Sequence, residues 1–267
     1  MAALTATHHS MLKKLREDIG VEDLSIDTAK TIAAVDARYI PSSARVTFTM
    51  LKKVYPGVQA FIDEAKKRAV PARAAQLSQV PTEKQAEAHV PWDKIIAWRD
   101  STELPILDKL IVGLYTYLPP QRVDYTPMLV VKRLPKTLTD GMNYLVMLKK
   151  SARFVFHAYK TAKVYGDRTI KIPPPLFSLL TTYLGERRDG YLFQDGVMPW
   201  TPSRLGANLR RIFLKAFGKL ISVNALRHSY ITKECAGMPS IAATSAAAVS
   251  MGHSVITHQT YRHITLE

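Results

Sequence analysis

A single cysteine, Cys235, occurs among the 267 residues. One thiol excludes an intramolecular disulfide framework and any zinc site built from cysteines. Long apolar runs are missing as well, since no stretch approaches the ~18 residues of a membrane-spanning helix. The opening residues, MAALTATHHSMLKKLRED, lack the apolar core of a secretion signal, so an intracellular protein is expected. There is no Gly-rich phosphate loop ending in Lys-Ser/Thr, no pair of histidines spaced for zinc on one helix, and no cluster of carboxylates. ATP-driven work and two-metal nuclease chemistry are therefore disfavoured. Acidic residues are also scarce, 22 against 37 Lys and Arg, leaving a formal net charge of +15. Such a surplus favours a polyanionic partner, most simply nucleic acid. A membrane surface is the weaker reading, because no one segment gathers the charge on a long amphipathic helix.

What the chain does contain is ample apolar material, 47% of residues, enough to bury real cores in one large or two ordinary domains. The charge is uneven. Residues 1–88 carry 13 basic against 10 acidic side chains, and residues 89–267 carry 24 against 12. The polar, proline-containing stretch QLSQVPTEKQAEAHVP separates the two and reads as a linker. Repeats and low-complexity tracts are absent.

The first segment reads as four short helices. Ser10 caps one over residues 11–18, Ser25 or Asp27 opens one over 28–39, and a third covers 42–54. The fourth begins near Pro56 and is expected to end or kink at Pro71. In the second segment, residues 92–98 and 102–117 read as helices, followed by strand-like stretches at 143–148, 153–157 and 169–172. A helix over 173–184 follows. The next is amphipathic, with Leu205, Leu209, Ile212, Phe213 and Ala216 inward and Arg204, Arg210, Arg211 and Lys215 outward. Helices over 224–235 and 240–251 complete the pattern. The fold class is thus mainly α (α+β): an N-terminal helical bundle, then a mostly helical domain with a small antiparallel sheet.

The C-terminal third carries Asn224-Ala-Leu-Arg227-His228, Met251-Gly252-His253 and Tyr261. Upstream stand Gln121-Arg122-Val-Asp124, after an apolar helix, and Tyr159-Lys160-Thr161, at a hairpin. This order resembles the tyrosine recombinases, or phage integrase family, over residues 122–261. The resemblance implies residues 1–88 as a core-DNA-binding domain and 89–267 as the catalytic domain. It also implies Arg122, Lys160, Arg227, His253 and Tyr261 as catalytic residues, supported by Asn224, Asp124 and Lys163, with no cofactor and no metal. Its partners would be double-stranded DNA and further copies of the chain, as a tetramer on DNA, with no membrane.

That chemistry asks for these residue types. Breaking a phosphodiester without metal needs a nucleophile, neutralisation of the phosphorane and a proton for the departing 5′-oxygen. Tyr261 would form a 3′-phosphotyrosyl bond, which stores the cleaved linkage for resealing. Arg122 and Arg227 offer planar forks matched to phosphate oxygens. Lys160 would be the general acid, and His253 would donate to the phosphate or take the tyrosine proton.

Plainer readings stand beside these. Arg122 is otherwise a solvated residue at a helix end, and Lys163 competes with Lys160. His228 reads as a packed histidine orienting Arg227, Cys235 as inert core, and Tyr183, Tyr191 and Tyr230 as core or rim aromatics. Three features depart from the family. Asn224 stands where histidine or lysine is usual, and an amide cannot shuttle a proton. Asp124 follows Arg122 one residue early. His253 and Tyr261 are eight residues apart, one fewer than usual, which turns a helix by ~100°. With six residues after Tyr261, a long docking helix is not expected.

The function expected is a site-specific DNA recombinase or integrase, acting wherever its target DNA lies, nucleus or cytoplasm. The wording around Arg122 and Lys160 is more similar to enzymes of DNA viruses and eukaryotic mobile elements than to bacterial ones. The alternatives are a type IB topoisomerase-like enzyme, which uses nearly the same residues, and a DNA-binding relative with impaired catalysis.

Overall fold

The computed structural model describes residues 4–250. Two compact units form within it. One holds the described residues up to Val80 together with those from Pro239 onward, and the other spans Pro81–Met238.

The first unit is helical. Helix α1 (Ala6–Ile19) begins earlier than the Ser10 cap predicts. Thr5 accepts from the His8 backbone while the His8 ring accepts from the Thr5 backbone, a reciprocal box that satisfies two orphan amides. Helix α2 (Thr28–Arg38) is capped by Asp27, and α3 (Pro41–Val54) starts on a proline whose missing N–H would be unpaired there anyway. Helix α4 (Gln59–Ser78) runs past Pro71 instead of stopping there. The residues after Pro71 are Ala-Arg-Ala-Ala-Gln, strong helix formers that sustain the winding. Leu15, Leu24, Val35, Phe48, Leu51 and Phe61 make the buried core. Arg68 lies over the Phe48 ring at 4.3 Å and pairs with Asp36 at 2.7 Å, tying α4 to α2 and α3.

The second unit opens with α5 (Glu83–Glu87) and α6 (Trp92–Ser101). Residues 81–88 group with this unit: the Lys219 ammonium donates to the His89 carbonyl at 2.9 Å, and Gln85 faces His228. Helix α7 (Ile106–Thr116) is buried at every position from Leu110 to Thr116, so it is enclosed rather than one-sided. Gly113 permits this, because a Cβ there would meet Leu179 Cδ1 at 3.0 Å.

The sheet holds four strands in the order β1 (Met128–Val131), β2 (Asn143–Met147), β3 (Ala152–Phe156) and β4 (Arg168–Lys171). It is mixed, not antiparallel throughout, because β1, a strand absent from the sequence reading, runs parallel to β2. The run Met-Leu-Val-Val is too short to separate from a buried loop by periodicity. Strands β2, β3 and β4 pair antiparallel, with Phe154 opposite Leu145 and Ile170. Leu145, Met147, Phe154 and Phe156 face the main core, while Tyr144, Val146 and Val155 face a smaller cluster. With both faces covered, β2 is buried at all five positions.

Helix α8 (Ala162–Tyr165) interrupts the β3–β4 hairpin. Then come α9 (Pro174–Leu184), the short pair β5 (Gln194–Asp195) and β6 (Met198–Pro199), α10 (Pro202–Phe217) and α11 (Val223–Glu234). In α10, Leu205, Leu209, Ile212 and Phe213 are buried and the four predicted cations are exposed. Helix α11 is held by buried Leu226 and by Tyr230, whose ring meets Trp92 edge-on at 5.2 Å. Helix α12 (Ile241–Ser250) groups with the first unit. Among the described residues no helix is long and apolar enough to cross a membrane.

Candidate anion-binding site

The loop after α7 carries the first predicted arginine, and two buried tyrosines set its path. The Tyr115 hydroxyl donates to the Arg122 carbonyl at 3.2 Å, and the Tyr125 hydroxyl donates to the Leu114 carbonyl at 3.0 Å. Burial pushes both phenols well above their ordinary pKa, so both stay protonated as donors. Within the turn, Gln121 Nε2 donates to the Pro119 carbonyl at 2.7 Å. Arg99 stacks on Tyr117 at 3.9 Å and donates to the Thr116 carbonyl, fixing the end of α7.

Arg227 reaches the same loop from α11. Its Nη1 donates to the Pro120 carbonyl at 3.3 Å. Arg122 and Arg227 thereby line one cleft of about 590 Å³, together with Gln121, Asp124, Tyr159, Thr161, Tyr165 and Arg168. Three guanidiniums face one carboxylate. Burial raises the Asp124 pKa, against the opposing pull of Arg122, Arg227 and Arg168. Burial lowers that of Arg227, helped by Arg122 and Arg168 and opposed by Asp124. Arginine nonetheless stays ionised, so the cleft keeps a cationic excess crowded into partly desolvated space. An oxyanion entering it relieves that repulsion and accepts from several forks at once.

The direction at Asp124 gives a testable sign. A carboxyl with a raised folded-state pKa makes the native chain hold more protons than the unfolded one, so its contribution to stability falls as pH rises from about the ordinary value of 3.8. Wild type is expected to lose thermal stability relative to Asp124→Asn as pH increases through that window. Melting curves taken across it check this, and a relative gain would mean that the arginines outweigh burial.

The hairpin residues lie close by but differ in placement. Lys160 is exposed at the turn between β3 and α8, flanked by the cleft-lining Tyr159 and Thr161, and is not itself in the lining. Lys163 is exposed on α8. Asn224 does not join the arginines. It is exposed and lines a second cleft of about 490 Å³ with Lys84, His89, Arg210 and His228. His228 is exposed there, 3.5 Å from the Gln85 side chain, rather than packed inside to orient Arg227. The reason is helical phase: Leu226 takes the core-facing position and turns its neighbours outward. Cys235, expected in the core, is exposed at the C-terminal end of α11. Tyr183, Tyr191 and Tyr230 stay out of the arginine cleft. His253 and Tyr261 lie outside the described residues.

Arg168 is the cleft cation that sequence reasoning misses. It opens β4 opposite Phe156, and its guanidinium lies 5.6 Å from the Tyr159 ring. The turn at Gly166-Asp167 was the available signal, since a hairpin returning there must bring its next residue back beside the strand it left. Among the described residues no group of three His, Cys, Asp or Glu side chains is arranged to hold a metal ion.

No family model and no curated protein matches the chain. Solved structures do: it is similar to the XerH site-specific recombinase bound to its difH substrate in a pre-cleavage complex, at 16% identity and a TM-score of 0.36, over 97% of this chain and 74% of that one. It is similar too to the XerA recombinase, at 14% identity and a TM-score of 0.33, over 97% and 86%.

Proposed function

We propose that this chain is a site-specific DNA recombinase or integrase that cuts and rejoins DNA through a 3′-phosphotyrosyl intermediate. The observation that carries the reading is the meeting of Arg122 and Arg227, 105 positions apart in the chain, in one cationic cleft beside the hairpin of Lys160. In this reading the guanidiniums of Arg122 and Arg227, joined by Arg168, hold the non-bridging oxygens of the scissile phosphate. Asp124 orients them. The Tyr261 oxygen attacks phosphorus, the bond to the 5′-oxygen breaks, and Lys160 gives that oxygen a proton, with Lys163 as the competing donor. His253 takes the phenolic proton or donates to the phosphate. Attack by a free 5′-hydroxyl reverses the steps and needs no ATP, because the phosphotyrosyl bond stores the linkage.

Residues 1–88 serve as the DNA-binding arm and 89–267 as the catalytic part, with several copies, in the family's manner a tetramer, assembling on paired duplex sites. Asn224, facing a different cleft, contributes a polar contact to DNA rather than proton transfer. Neither cofactor nor metal enters this scheme.

A nicked suicide duplex containing the cognate site tests it. The expected result is a covalent protein–DNA adduct that forms equally well with a chelator present. A chelator-sensitive reaction, or no adduct, overturns the reading. Supercoiled plasmid lacking the site should hardly be relaxed, whereas rapid relaxation would favour the topoisomerase-like alternative.

A further inference from the structure

Asn143, the first residue of β2, is 2% exposed, yet its side chain makes four hydrogen bonds. Nδ2 donates to the carbonyls of Asp124 at 2.8 Å and Ala158 at 3.0 Å. Oδ1 accepts from the backbone amides of His157 at 2.9 Å and Ala158 at 2.8 Å. Two donors and two acceptor lone pairs are the full capacity of a carboxamide, and all four are used on backbone. The partners fall in two places only, the loop that carries Arg122 and Asp124 and the base of the hairpin that carries Lys160.

The sheet does not make these bonds itself. The β2–β3 ladder begins at Tyr144 opposite Val155, so His157 and Ala158 lie beyond its end. The Asn143 amide continues the ladder by one side chain and at the same time turns to the arginine loop. A second tie, from His157 Nδ1 to Asp167 at 2.7 Å, closes the hairpin across its own base. One buried amide thus ties the base of the Lys160 hairpin to the loop of Arg122 and Asp124.

We propose that Asn143 is a positioning residue that holds the Lys160 hairpin against the Arg122–Asp124 loop, so that ammonium and guanidiniums act on one phosphate. This rests on the recombinase reading above. A misplacement of about 1 Å in such an arrangement costs on the order of 10²-fold in rate. A side chain that only satisfied buried backbone groups would affect stability without selecting a chemical step.

The test exploits the leaving group. Replacing the bridging 5′-oxygen of the suicide duplex by sulfur gives a thiolate on departure, and a thiol of pKa about 8.5 leaves without needing a proton. Asn143→Asp, which keeps shape and acceptor but loses the donors, and Asn143→Ser are measured in parallel with Lys160→Ala by single-turnover cleavage. Both Asn143 variants should slow the oxygen duplex by on the order of 10²-fold, cleave the sulfur duplex at close to the wild-type rate, and add no further loss in a Lys160→Ala background. Equal slowing on both duplexes, or no slowing, overturns the assignment while leaving the recombinase reading intact. Wild type that forms an adduct on neither duplex overturns both.

Discussion

Tyr261→Phe is expected to abolish the covalent adduct on a suicide duplex while leaving duplex binding close to wild type. The substitution removes one oxygen atom, and in the proposed mechanism that atom is the nucleophile, so nothing weaker than complete loss is consistent with it. Free tyrosine ionises near pH 10, so in the proposed mechanism the attacking phenol needs a cationic, hydrogen-bonding surrounding. The phenols beside the Arg122–Arg168–Arg227 cleft are instructive controls. Tyr115 and Tyr125 are buried donors to carbonyls, and the Tyr159 hydroxyl donates to the Gly166 carbonyl at 2.6 Å. Tyr165 is different, being exposed and part of the lining. Tyr165→Phe should therefore retain the adduct. If Tyr165→Phe lost it and Tyr261→Phe kept it, the nucleophile would have been misassigned, and peptide mapping of the trapped adduct would show the same.

Arg227→Ala is expected to slow single-turnover cleavage by about 10²–10³, the usual loss on removing one preorganised donor from a developing oxyanion. Arg227→Lys should recover little, since an ammonium keeps the charge but not the planar fork. The same substitutions remove the hydrogen bond to the Pro120 carbonyl, a long contact of 3.3 Å from a charged donor in a partly exposed place. A bond from a charged group contributes about 1.5–3 kcal/mol when well made, and the length and exposure of this one put it at the low end, so melting should shift modestly while rate falls far. A variant that lost stability in proportion to activity would reduce Arg227 to a bracing residue between α11 and the loop. Arg122→Ala should parallel Arg227→Ala in rate.

Much of the chain is readable because the signals are local. Asp27 caps α2, the proline at 174 opens α9, and the Leu205–Leu209–Ile212–Phe213 stripe fixes the buried face of α10. Strands β2, β3 and β4 follow from β-branched and aromatic residues bounded by turns. The failures are equally specific. Thr5 outcompetes Ser10 as a cap because His8 completes a reciprocal pair, and of the two outcomes expected at Pro71, an end or a kink, α4 does not end there. Strand β1 is recognised only by its neighbour, since four residues paired in parallel leave no periodic trace.

The candidate site divides the same way. Residue types, their order and the basic surplus are properties of the chain as written, and Arg122, Lys160 and Arg227 stand out on that basis. Which of them share a cleft is a matter of three-dimensional contact. Folding brings Arg168 in at the start of β4, leaves Lys160 at the rim, and turns Asn224 toward another cleft, because helical phase and strand register decide where a side chain points. The buried amide of Asn143 joins two loops that sequence separation hides, since a hydrogen bond depends on distance in space and not on distance along the chain.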